Sequence, residues 1–128
     1  MKNYRLLGSL GVAAWLLAGP LHALERKAEL QRLNASMPLG FAGCATYYFL
    51  AARGHSAKEY DALYRAGEFG LNQASVLEGA EMANRGVETH AAALMQEMAS
   101  DWRKIAVLDR QYAEPCAALM LAAGFKKP

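Results

Sequence analysis

Residues 40–54 read GFAGCATYYFLAARG, an apolar and aromatic segment with a cysteine near its start. Phe41, Cys44 and Tyr48 recur at the spacing of one helix face, and Tyr47 and Leu50 fall on another face. A helix that is apolar nearly all round packs against neighbours on more than one side. We therefore predict that this helix is the element around which the rest of the chain folds.

The chain has two cysteines, Cys44 in this segment and Cys116 near the other end. In an exported protein an even number of cysteines favours an intramolecular disulfide. Closing a loop of roughly 70 residues stabilises a fold by about 4 kcal/mol, because the unfolded chain loses conformational entropy. We predict a Cys44–Cys116 bond that ties the first strong helix to the last, with two buried free thiols as the alternative.

The first 23 residues have the pattern of a secretory signal peptide. Lys2 and Arg5 give a positive start, residues 6–17 form an apolar run, and Leu-His-Ala at 21–23 is a cleavage tripeptide of the usual kind. The alternative is an uncleaved membrane anchor, which needs about 20 consecutive apolar residues, and this run is shorter. We predict a cleaved signal peptide over residues 1–23 and a periplasmic or secreted protein, with no stable membrane insertion after cleavage.

The remaining residues, 24–128, are enough for one small domain. The whole chain has 14 basic and 12 acidic residues. Once Lys2 and Arg5 leave with the signal peptide, basic and acidic residues are equal in number. Nucleic acids and anionic membrane surfaces attract proteins that carry a basic patch. Neither is therefore the predicted partner.

Helical periodicity runs through this domain, with no strand-like alternation of useful length. Residues 24–36 alternate charge with leucine, which predicts an amphipathic lead-in helix or a frayed lead-in. Pro38 interrupts it, and residues 38–124 are predicted to form the disulfide-closed bundle. Gly54 stands where a left-handed C-cap would end the Cys44 helix. The Ser-x-x-Glu pattern at residues 56–59 predicts a capping box for the next helix.

The helix that begins at Ala57 has two possible courses. It continues to about residue 84, with Gly67 and Gly79 facing close neighbours, or it breaks near Gly70 and restarts with Asn72 as N-cap. The apolar period survives across Gly67 and Gly70, so we favour the continuous helix.

A further apolar stripe runs from residue 87 to residue 112, after Gly86 closes the preceding helix. It predicts one long helix, kinked at residues 100–101 where a cap is available. Pro115 suits the first turn of a short last helix that ends before Gly124. The predicted fold is all-α, a small bundle of three to five helices.

Metal and cofactor chemistry is weakly represented. His90, Met95, Glu97 and Met98 form a loose cluster that includes the thioethers preferred by copper(I). Methionines on an apolar stripe are far more typical of core packing, so we predict no metal and no cofactor. A cysteine in a disulfide is not a nucleophile, and the chain has neither a nucleophile elbow nor a phosphate-binding glycine loop. We predict no catalytic residues and a protein that is not an enzyme.

Aromatic residues give the best indication of a binding surface. Tyrosine, tryptophan and arginine dominate the energetically important positions of interfaces. We assign Tyr48, Tyr64 and Tyr112 to the core, and we predict a partner surface that includes Tyr47, Phe69, Arg65 and Arg103.

The layout resembles that of many small exported helical proteins of Gram-negative bacteria: a signal peptide, an early cysteine followed by tyrosines, and a late Tyr-x-x-x-Cys. Some of these proteins are immunity proteins that neutralise toxins in the periplasm. The resemblance is one of layout and carries no residue roles. Our hypothesis is an exported protein that binds a protein partner, a toxin or an envelope component. The alternative is a carrier of a small ligand or a metal, such as copper or haem, in the cell envelope.

Overall fold

The computed structural model describes residues 20–126, and residues 1–19, most of the predicted signal peptide, lie outside this range. The signal peptide therefore stays a prediction. Between residues 20 and 126 the chain is helical and has no strand, which confirms the predicted all-α class for that range. The elements are α1 (20–35), α2 (Gly40–Gly54), α3 (Ala57–Glu78), α4 (Ala80–Glu97), a 3-10 helix (Trp102–Lys104), α5 (Ile105–Leu108), a π-helix (Asp109–Ala113) and α6 (Glu114–Ala122).

Helix α2 is the centre of the fold, as its sequence predicts. Every residue from Gly40 to Ala52 is buried except Phe49, and α2 contacts α3, α4, α5 and α6. Two glycines of α3 face it, and a Cβ on Gly67 would lie 2.6 Å from the Phe49 ring. The glycines in the middle of α3 therefore permit close helix packing, and the favoured continuous course through Gly70 is the one observed.

The predicted end of α3 is wrong. The helix ends at Glu78, and Gly79 adopts φ 86° and ψ 155°, a conformation open essentially to glycine alone. Gly79 faces no close neighbour, since a Cβ there would meet nothing within 4 Å. Gly86, which we predicted to close this helix, lies inside α4, where a Cβ would approach Ala42 at 3.1 Å.

The predicted long helix over residues 87–112 is also interrupted. Helix α4 ends at Glu97, and Ala99 and Ser100 take positive φ values of 53° and 57°. The Asp101 side chain accepts a hydrogen bond from the Arg103 amide at 3.0 Å and starts the 3-10 helix. The cap expected at residues 100–101 is present, but it begins a separate helix.

Two local predictions at the start of α3 need correction. Gly54 is the last residue of α2, but its φ is not in the left-handed region. The absence of a side chain at Gly54 makes room for Ile105, which a Cβ there would approach at 2.8 Å. Ser56 precedes α3 as predicted, but its hydroxyl makes no cap hydrogen bond. The Glu59 carboxylate instead lies 3.1 Å from Nδ1 of His55.

Both ends of the described chain are fastened to this centre. The sulfurs of Cys44 and Cys116 lie 2.14 Å apart, the distance of a disulfide, and both residues are fully buried. Pro115 occupies the first turn of α6, as predicted. The lead-in helix α1 buries Leu30 in the core, and the Arg26 guanidinium donates to the Ala123 carbonyl. Among residues 20–126 no helix is both long and apolar enough to cross a membrane.

Candidate binding groove

A groove of about 580 Å³ lies between α3 and α6, with α2 beneath it. The α3 wall presents Ala62, Leu63 and Ala66, with Lys58 and Glu59 near the start of the helix. The opposite wall is formed by side chains that recur at the spacing of one helix face, Ala113 at the end of the π-helix and Ala117, Met120 and Leu121 in α6. Phe125, just beyond the end of α6, extends this wall. The walls are therefore largely apolar, and both are built from small side chains along part of their length.

The two walls meet at one end of the groove. A Cβ on Gly70 would lie 3.0 Å from the methyl carbon of Met120, and the rings of Phe69 and Phe125 are 5.1 Å apart. Towards Lys58 the facing positions are alanines, whose methyl groups leave the space between the helices unfilled. The groove is thus closed by aromatic and methionine side chains and widens towards the first turn of α3.

The tyrosines of α2 form the floor. Tyr47 is only 3% exposed, and its hydroxyl donates to Oδ1 of Asp109 at 2.7 Å. Burial and this hydrogen bond raise the pKa of Tyr47 far above its usual range, and burial raises the pKa of Tyr48 to about 12. Both side chains are therefore neutral at pH 7. The expectation that Tyr47 is exposed is wrong, because α2 is covered on this side too and Asp109 of the π-helix accepts the hydrogen bond of the Tyr47 hydroxyl. Its contact with a partner stays a prediction.

A chain of polar contacts links the floor to the wide end of the groove. Asp109 accepts from Tyr47 and its other oxygen lies 2.8 Å from Nε2 of His55. The second ring nitrogen of His55 faces Glu59 at 3.1 Å. This polar chain, Tyr47–Asp109–His55–Glu59, joins α2, the π-helix and the first turn of α3. Because His55 has one carboxylate at each ring nitrogen, this polar chain holds α2, the π-helix and the start of α3 together.

Sequence reasoning missed this polar chain. His55 stands one helical turn before Glu59, which is the only local signal of the contact. Asp109 is 54 residues from His55 in the sequence, so no local spacing links the two. Its approach to His55 and Tyr47 depends on the π-helix, and no residue pattern in Asp109–Ala113 marks that wider turn.

The other predicted surface residues fall into two separate places. Phe69 is half-buried and its ring packs on Phe125 at the closed end of the groove. Arg65 is exposed on α3 and is not among the residues that line the groove. Arg103 lies on the 3-10 helix, with its side chain 91% exposed and bound to the Asp101 carboxylate. The structure therefore brings Phe69 to the end of the groove and leaves Arg65 and Arg103 outside its lining.

The remaining predicted residues serve the core or its margin. Met98 is fully buried and Met95 packs against the same core. Tyr48 is buried and Tyr112 is half-buried, with its hydroxyl donating to Glu97. Tyr64, which we assigned to the core, is 40% exposed and packs against the rings of Tyr60 and Phe49. Within residues 20–126 no three histidine, cysteine or acidic side chains converge as metal ligands.

Comparison of the chain with protein-family models, with curated proteins and with solved structures found no match. The geometry of the groove therefore carries the functional conclusion.

Proposed function

We propose that this is an exported binding protein whose groove between α3 and α6 receives part of a protein partner, a toxin or a component of the cell envelope. The observation that carries the proposal is the unfilled apolar groove itself. Its volume of about 580 Å³ falls within the usual range of binding sites, about 300–1,000 Å³. Leu121 on its wall is 56% exposed, and an apolar side chain so placed gains by being covered.

The chemistry of the groove supports binding over catalysis. The ring nitrogens of His55 face Asp109 and Glu59, and the Tyr47 hydroxyl donates to Asp109. These polar groups interact with one another, and the surface that faces the groove is formed mainly by apolar side chains. An apolar surface with a few polar groups at one end is typical of a recognition site.

A second candidate function is the carriage of a small apolar ligand, which the same groove volume favours. Carriage of copper or haem receives less support, because the thioether of Met98 is fully buried in the core. The two candidate functions differ in the mass of the molecule that occupies the groove, which is a protein in the first and a small molecule in the second.

Site-specific photo-crosslinking in the producing cells tests the proposal. A benzophenone amino acid replaces Leu121 in the groove or, as a control, Met82 on α4, which is 53% exposed and therefore similarly accessible. We expect a discrete, protease-sensitive adduct of protein mass from position 121 and none from position 82. An adduct of small-molecule mass supports the carrier function instead. Equal adducts from both positions, or none from position 121, contradict the proposal.

A further inference from the structure

The ring of His55 lies between two carboxylates. Its Nε2 is hydrogen-bonded to Oδ2 of Asp109 at 2.8 Å, and its Nδ1 lies 3.1 Å from a carboxylate oxygen of Glu59. A neutral imidazole has one N–H and one lone pair, the protonated ring has two N–H groups, and an ionised carboxylate only accepts hydrogen bonds. Both contacts are therefore favourable only while the ring carries a proton on each nitrogen.

The proton that this arrangement needs belongs on the ring. Imidazole is a stronger base than a carboxylate by about 2 pH units, so the proton goes to His55 before it goes to either acid. Histidine is also the side chain that ordinarily changes charge between about pH 5 and pH 8. Loss of the proton in that range leaves a lone pair on one ring nitrogen, directed at a carboxylate.

The contact with Glu59 is the one that opens. The Asp109 side chain is 25% exposed and its other oxygen accepts from the Tyr47 hydroxyl at 2.7 Å, so Asp109 is held from two sides. The Glu59 side chain is 56% exposed, and its contact with the ring is the longer of the two. The one N–H of a neutral ring therefore stays on Nε2, and water replaces the ring as the partner of Glu59.

Other charged groups on the surrounding elements do not replace these contacts. Among residues 20–126, the ion pairs of Glu59 and Asp109 are those with His55. The other ionisable residues that α2, the start of α3, the 3-10 helix and the π-helix place around the ring are Arg53, which lies over the Trp102 ring, Arg103, which is bound to Asp101, Tyr112, which donates to Glu97, and Lys58, Tyr60, Asp61, Lys104 and Arg110.

We propose that the polar chain Tyr47–Asp109–His55–Glu59 is a pH-dependent latch at the wide end of the groove. With His55 protonated, Glu59 is held against the ring, and the first turn of α3 is tied to the π-helix. When the ring loses its proton, Asp109 keeps the Nε2 hydrogen bond and Glu59 is released. Because Glu59 lines the groove beside Lys58, the released carboxylate adds a free negative charge there. The latch belongs to the fold and does not depend on what the groove receives.

NMR spectroscopy of the isotope-labelled protein at about pH 5 and about pH 8 tests the latch, because these values bracket the titration of an ordinary histidine. The nitrogen chemical shifts of the His55 ring report which nitrogen carries a proton. The nuclear Overhauser effect between the ring and the Glu59 side chain reports their contact. His90 is the internal reference, because no ion pair within residues 20–126 involves it.

Glu59→Gln is the decisive variant. An amide can turn its oxygen towards a protonated Nδ1 or its NH₂ group towards a lone pair, so glutamine can keep the contact in both states of the ring. Glu81→Gln is the matched control, since Glu81 also pairs with a residue one turn away, Arg85, on an exposed helix face.

At about pH 5 we expect a proton on both nitrogens of His55 and a nuclear Overhauser effect to Glu59; at about pH 8 we expect a proton on Nε2 alone and loss of that effect. Glu59→Gln should keep the contact at both pH values, and Glu81→Gln should behave as wild type. A contact between His55 and Glu59 that persists in wild type at the higher pH overturns the latch. So does a proton on Nδ1 alone, which would make Asp109 the released partner, or loss of the contact in Glu59→Gln as in wild type.

Discussion

Replacing Tyr47 with phenylalanine removes one hydroxyl group from the floor of the groove and leaves the ring in place. In the native protein that hydroxyl donates to Asp109 at 2.7 Å, and the residue is 3% exposed. Asp109 in turn lies 2.8 Å from His55. The substitution therefore breaks the link between α2 and the π-helix while it preserves the aromatic packing of Tyr47 against Tyr48 and Tyr112.

The expected loss follows from the nature of the acceptor. A hydrogen bond to a charged group contributes about 1.5–3 kcal/mol, more than a bond between neutral groups. We expect Tyr47→Phe to lower the free energy of unfolding by about that amount at pH 7. For a domain of this size, each kcal/mol corresponds to roughly 4–8 °C in Tm.

Urea denaturation followed by circular dichroism measures the change, with Tyr60→Phe as the matched control. Tyr60 is 42% exposed and its ring stacks on Tyr64. A substitution at such an exposed site should stay within about 0.5 kcal/mol of wild type. If Tyr47→Phe costs no more than Tyr60→Phe, the bond to Asp109 does not stabilise the fold.

Alkaline pH provides an independent check. Burial and the bond to Asp109 raise the pKa of Tyr47, whereas an unfolded tyrosine has a pKa of about 10. The contribution of Tyr47 to the free energy of unfolding is fully present below pH of about 10. Above that pH the unfolded chain releases the tyrosine proton and the native protein keeps it, so the contribution falls by about 1.4 kcal/mol per pH unit. The difference in the free energy of unfolding between wild type and Tyr47→Phe should therefore decrease by about 1.4 kcal/mol per pH unit above pH of about 10. A constant difference would contradict the raised pKa.

Three further changes test the fold. Reduction of the Cys44–Cys116 bond in denaturant, followed by refolding under reducing conditions, should lower the free energy of unfolding by about 2–5 kcal/mol, measured by urea titration; an unchanged midpoint would contradict a stabilising bond. Gly79→Ala should cost about 1–3 kcal/mol, because φ is 86° there, although the site is open; a Tm equal to that of wild type would show that α3 and α4 do not break at this residue. Gly54→Ala should cost about 1–3 kcal/mol through overpacking against Ile105; a gain in Tm would mean that α2 and α5 lie further apart.

The central helix was predictable because its signal is local and strong. Residues 40–54 are apolar on every side, so the segment had to be helical and enclosed. The start of α6 was equally predictable, since proline is favoured at only a few helix positions and Pro115 suits the first turn. The pairing of Cys44 with Cys116 followed from the cysteine count.

Helix boundaries after residue 70 were not predictable from periodicity. The apolar stripe runs across Gly67 and Gly70 as far as Leu77, so the pattern alone does not show which glycine ends the helix. The break is a property of one backbone conformation, φ 86° at Gly79, and Gly67 or Gly70 would have been equally good candidates. These two instead lie against Phe49 and Met120, which only the packed structure reveals.

The groove was half predictable. Arg65 and Phe69 were chosen because arginine and aromatic residues are frequent in interfaces. Phe69 packs on Phe125 at the end of the groove, whereas Arg65 does not line it. Its alanine walls carry no signal in the sequence, because Ala62 and Ala117 look the same as alanines that fill a core. Tyr47 was assigned to solvent because the second face of α2 could not be matched to the element that covers it.

The claim that the groove is the binding site is tested most directly by filling it. Ala62 is exposed within the groove and Ala93 is exposed on α4, so Ala62→Leu and Ala93→Leu make the same change inside and outside the site. Both variants should keep the stability of wild type within about 0.5 kcal/mol. The measurement is the yield of the partner adduct from the benzophenone at position 121 in each background. We predict that Ala62→Leu abolishes the adduct and Ala93→Leu leaves it unchanged; an undiminished adduct in Ala62→Leu would contradict binding in the groove.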